Sequence, residues 1–109
     1  MKLSYLLPLG LIPVILLSGC IVQNNSEAEN TKQICIKACE DTVKTGRDLS
    51  NGPCLLNPIQ EYPNWVCDVA HEPRQVVDNS PENQCSVFRE GRASHFVEVT
   101  PECSFIKSY

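Results

Sequence analysis

Seven cysteines, two histidines and thirteen acidic side chains are the chemically capable residues of this 109-residue chain. His71 and His95 each have a carboxylate three residues away, in Asp68-Val69-Ala70-His71 and His95-Phe96-Val97-Glu98. On a helix that spacing puts both groups on one face, where they could hold a metal or move a proton. On a strand it sends them to opposite faces. Both segments read as strands, so each local pair is a chance spacing. If the two strands pair antiparallel, however, His71 and His95 meet at one end of the sheet, with Arg74, Glu72 and Glu98 in reach. That end, marked by His71, Arg74, His95 and Glu98, is the expected binding site. No Gly-x-Ser-x-Gly turn offers an activated serine, and a small stapled domain rarely has the long groove that two glycosidase carboxylates flank. Arg89 and Arg92 could hold an acidic ligand, although a mixed-charge run such as 74–92 is ordinarily a solvated face.

The cysteines point to structure instead. Cys35, Cys39, Cys54, Cys67, Cys85 and Cys103 form an even set in a short chain, which is the pattern of three disulfides in an oxidising compartment. A four-cysteine zinc site wants two close pairs, and only Cys35 with Cys39 is close enough. There is no C-x-x-C for a redox dithiol and no C-x-x-C-H for haem; no cofactor is expected. Cys35 and Cys39 lie one helical turn apart, a poor geometry for bonding each other. They are expected to reach separate partners, with Cys54 and Cys67 closest in sequence, leaving Cys85 for Cys103. Bridges at about 2–4 kcal/mol apiece would decide whether so small a core folds.

The seventh cysteine belongs to a targeting segment. Lys2 precedes a mostly apolar run that Pro8 and Pro13 interrupt, too short for the roughly 20 apolar residues of a membrane-spanning helix. The run ends in Leu17-Ser18-Gly19-Cys20, which resembles the lipobox of prokaryotic lipoproteins. The resemblance implies removal of residues 1–19 as a signal peptide, a diacylglyceryl thioether on the Cys20 sulfur, and a palmitate-type acyl chain on the new amino terminus. Several chains supply the anchoring that one chain cannot. Ile21 stands where an inner-membrane retention signal would put Asp, which in a Gram-negative cell favours the outer membrane. The segments WVCDVAH, VDNSPENQC and HFVEV resemble uncharacterised exported proteins of prokaryotes, archaea included, and imply no activity.

The elements that must position these residues follow from pattern. The net charge is -4, and loss of Lys2 makes the mature chain more acidic still. That excludes nucleic acid, whose binding rests on Lys and Arg against phosphate. Residues 20–30 read as the lipidated Cys20 and a polar tether, and residues 31–109 as the domain. A helix starts at Asn30 or one turn earlier at Ser26, with Cys35 and Cys39 on one face and Gly46 past its end. Strands are expected over 64–71, 94–100 and 104–107, with a short helix over 81–90 closed by Gly91. Trp65, on the same strand face as Cys67, should be core. The expected fold is α+β: an N-terminal helix packed on a short antiparallel sheet and stapled by three disulfides. The expected role is a lipid-anchored module of the cell or outer membrane, facing periplasm or exterior, that binds an envelope protein or a glycan. A small hydrolase or metal-dependent enzyme centred on His71 and His95 is the alternative.

Overall fold

A computed structural model describes residues 26–109; the expected signal peptide over residues 1–19 and the expected lipidation site Cys20 lie outside the described residues. The first helix, α1 (Glu27–Lys44), starts at the earlier of the two caps. The Ser26 hydroxyl accepts from the Glu29 backbone N–H at 3.1 Å, and Glu27 and Glu29 set negative charge against the positive end of the helix dipole. The helix therefore begins inside the stretch that reads as tether. It stops before Gly46, whose φ of +88° is the left-handed turn that ends helices.

Four strands follow in the order of the chain: β1 (Cys54–Leu56), β2 (Trp65–Val69), β3 (His95–Val99) and β4 (Phe105–Ser108). The outer pairs are antiparallel, but β2 and β3 run parallel and in register, Trp65 beside His95 and Asp68 beside Glu98. The fold is thus α+β with the helix on a sheet, as expected, while the sheet is mixed rather than wholly antiparallel. A parallel pair needs a long crossover between its strands. Residues 70–94 supply it with two 3-10 turns, Val76–Asn79 and Pro81–Asn83, and one turn of helix, α2 (Ser86–Arg89). The single helix expected over 81–90 is broken because Gln84 is extended (φ -91°, ψ 153°). Gly91, at φ +81°, still closes the segment.

Alternation along the strands divides the domain into two cores. Trp65, Cys67, Val69, Val97 and Val99 face α1 and pack with Cys35, Cys39, Leu49 and Ile59. On the other face Val66 and Phe96 pack with Cys85, Val87, Phe88 and Ala93 of the crossover. Three disulfides tie these layers. Cys35–Cys67 joins α1 to β2, Cys39–Cys103 joins α1 to the turn between β3 and β4, and Cys54–Cys85 joins β1 to the head of α2, with Cα separations of 5.4, 5.6 and 5.0 Å. Cys35 and Cys39 do reach separate partners, and Cys67 is one of them. The pairings expected for Cys54 with the helix and for Cys85 with Cys103 do not form. The crossover carries Cys85 to the face of the sheet opposite α1, where Cys54 waits, and the β3–β4 turn brings Cys103 to Cys39.

Trp65 is 5 % exposed, stacks on the His95 ring at 4.5 Å, and donates its indole N–H to Glu27 at 3.0 Å. Trp65→Ala should cost about 3–5 kcal/mol in a denaturant titration, as loss of a large buried aromatic does; a variant as stable as wild type would contradict this core. Alkylation without reductant should label none of Cys35, Cys39, Cys54, Cys67, Cys85 and Cys103. Two or more reactive thiols would contradict the three bridges.

Candidate functional site: a carboxyl pair beneath the crossover

The parallel register creates a pair that the linear sequence hides. Asp68 on β2 and Glu98 on β3 are in-register partners on the face away from α1, on strands roughly 4.8 Å apart. Glu98, whose side chain is 7 % exposed, accepts from Arg74 Nη1 at 2.9 Å. Arg74 is itself held at both other nitrogens: Nε donates to Asn79 Oδ1 at 2.9 Å and Nη2 to the Asp78 carbonyl at 3.4 Å. Asp68 has no such partner, and its Oδ1 is buried without a hydrogen bond. Burial, and then the charge of Glu98, push the Asp68 carboxyl up to about 8 against a smaller opposing effect of Arg74. Near neutral pH Asp68 therefore favours its protonated, neutral form.

The pair opens onto a cavity of about 350 Å³ between the sheet and the crossover. Val66, Phe88 and Phe96 give it an apolar wall, with the two phenyl rings edge to face at 5.1 Å. Arg74, Arg89 and Lys107 give it cationic groups. No free thiol or hydroxyl lines it, since Cys85 is bridged to Cys54. Its polar lining is therefore made of carboxyl, amide, guanidinium and ammonium groups, with Glu98 tied to Arg74.

A second carboxylate braces the start of the crossover. Asp78 is 2 % exposed and accepts from the backbone N–H groups of His71 and Gln75 and from the His71 ring nitrogen Nδ1, each at 2.9 Å. Burial alone would raise its pKa, but these donors together hold it below the usual carboxylate range. Gly52 allows this packing: its φ is +68°, and a Cβ there would collide with Asp78 Oδ1 and lie 3.1 Å from the Val69 carbonyl.

The four residues expected to share a binding end are divided by the parallel register. Arg74 and Glu98 do meet. His71 lies past the end of β2 and spends its ring on Asp78, whereas His95 opens β3, stacked on Trp65 with Nδ1 2.9 Å from the Tyr109 carbonyl oxygen. The histidines sit at opposite ends of the strand pair, and no group of three His, Cys, Asp or Glu among the described residues could hold a metal ion. Arg89 lines the cavity, but Arg92 pairs with Glu90 at the surface, so the two do not form one acidic-ligand site. Asp68 is the residue that spacing missed. Its signal was the matching fourth position of two five-residue strands, Trp-Val-Cys-Asp-Val and His-Phe-Val-Glu-Val.

The raised Asp68 pKa has a definite sign for stability. Between about pH 4 and 8 the folded protein keeps a proton that the unfolded chain has lost, so stability falls as pH rises, by up to about 1.4 kcal/mol per unit. Asp78 acts oppositely, adding stability that is lost as pH drops through the acid range. Asp68→Asn should abolish the part of the fall in melting temperature that accumulates between about pH 4 and 8 and leave the Asp78-linked loss at acid pH unchanged; an unaltered pH profile would contradict the assignment. Gly52→Ala should destabilise by about 1–3 kcal/mol through the left-handed backbone and the Asp78 contact, measured by thermal melting. No protein-family model, curated protein or solved structure matches the chain, so its chemistry is read from Asp68, Glu98 and Arg74 themselves.

Proposed function

We propose that the protein is a lipid-anchored module of the prokaryotic cell envelope that binds a small ligand, or the end of a glycan, in the cavity beneath its crossover. The observation that carries the binding role is the Asp68 carboxyl, which lines a cavity walled by Phe88 and Phe96 and is matched by no cation of its own. A hydrogen bond between that carboxyl and a ligand's polar group would contribute about 0.5–1.5 kcal/mol net. The size also fits, because about 350 Å³ lies at the lower end of small-molecule pockets, roughly 300–1,000 Å³. A folded protein segment would need a broader surface.

Two features support the envelope location. Three disulfides belong to an oxidising compartment outside the cytosol. Leu17-Ser18-Gly19-Cys20 has the form of a lipobox, and among the described residues no helix is long and apolar enough to cross a membrane. Lipid on Cys20 would then be the anchor, with the domain facing periplasm or exterior. The histidine-centred enzyme has no comparable support, since each imidazole is engaged at its own end of the sheet.

Cys20→Ser should abolish incorporation of an alkyne-palmitate label and release the protein from the membrane fraction. An intact mass with an unmodified amino terminus at Cys20 would contradict the anchor. Gln84, half-buried in the cavity lining, tests the binding role. Gln84→Trp should fill the cavity and remove any small molecule retained by the wild-type protein in native mass spectrometry. A retained molecule that survives this change binds elsewhere.

A further inference from the structure

The distribution of charge around the cavity selects among ligands. Arg74 is neutralised by Glu98. Arg89, the last residue of α2, and Lys107, the in-register partner of Glu98 on β4, have no carboxylate partner among the described residues. Lys107 instead rests over the Phe96 ring, its Nζ 5.9 Å from the centroid. Asp68, Glu98 and Lys107 thus form a row across three strands: a carboxyl with no cation of its own, a carboxylate already paired with Arg74, and an ammonium not satisfied by any anion. Behind the row stand Phe88 and Phe96, with Tyr109 stacked on Phe96 at 5.4 Å, and the parts of the two rings that line the cavity offer a ligand ring an apolar surface. Cations outnumber anions here whether Asp68 is charged or neutral, so an organic cation meets net repulsion and an anion meets Arg89 and Lys107.

We infer that the cavity binds a carboxylate-bearing six-membered ring, the ring packed on Phe88 and Phe96, the acid group held by Arg89 and Lys107, and a second polar atom meeting the Asp68 carboxyl. An aromatic acid and a uronic acid share this chemistry. Arginine is suited to carboxylate because its planar fork can grip both oxygens, and lysine adds a mobile point charge. The inference rests on the binding role proposed above and adds to it the charge and shape of the ligand.

Isothermal titration of the full-length protein in detergent, with benzoate, glucuronate, benzylammonium and glucose as probes, tests it. At least one of the two anions should bind tenfold or more tightly than both benzylammonium and glucose. Preference for benzoate identifies an aromatic acid and preference for glucuronate an acidic sugar. Arg89→Ala combined with Lys107→Ala should weaken the favoured anion at least tenfold, and the comparison among probes stands even if that variant does not fold. Preferential binding of benzylammonium or glucose would overturn the anion assignment while leaving a binding cavity. Binding of none of the four would overturn it as well, and survival of a retained native ligand in Gln84→Trp would separately overturn the cavity's binding role.

Discussion

Strands β2 and β3 run side by side in the same direction, and much of the rest of the domain follows from that pairing. Parallel neighbours cannot be joined by a tight turn, so the chain must leave the end of β2 and travel back to the start of β3. In doing so residues 70–94 cover the face of the sheet that α1 leaves bare. The crossover brings Arg74 to Glu98, Phe88 to Phe96, and Cys85 to Cys54. An antiparallel pair joined by a hairpin would have left Asp68 and Glu98 in water. The parallel register buries them side by side under a lid of the chain's own making.

Burying two neighbouring carboxyls is costly unless charge is removed or matched. This fold does one of each: Arg74 matches Glu98, and Asp68 keeps its proton. The unequal treatment gives the cavity a hydrogen-bond donor at neutral pH without adding negative charge. Nearby, Asp78 is handled in the opposite way, wrapped by three N–H or ring-nitrogen partners and closed off by Gly52. One carboxyl is satisfied and rigid while the other is buried and open. That contrast separates a structural brace from a site that still has a hydrogen bond to make.

Much of this was legible in the residues. The alternation of Trp65, Cys67 and Val69 with Val66 and Asp68 correctly assigned the faces of β2, and the same pattern assigned β3. The even cysteine set foretold three bridges, and the four-residue spacing of Cys35 and Cys39 foretold that both would point at the sheet. Strand direction was not legible, because alternation has the same period whichever way a strand runs. Everything that depends on direction was lost with it, including the partners of Cys54, Cys85 and Cys103 and the separation of His71 from His95. Asp68 was weighed only against His71, its neighbour in sequence, whereas its partner lies thirty residues on in register. β1 escaped notice for a local reason: three residues between Pro53 and Pro58 are too few to show any period.

Asp68, a protonated carboxyl in a cavity beside the Arg74–Glu98 pair, is the residue on which the cavity's chemistry turns. Carbon-13 labelling of aspartate with a pH titration of the Asp68 side-chain carboxyl resonance, assigned through Asp68→Asn, measures its protonation directly. The resonance should have the chemical shift of a neutral acid at pH 7 and move to that of a carboxylate with a midpoint near 8. A carboxylate shift at pH 7, with a midpoint near the ordinary value of about 4, would contradict it.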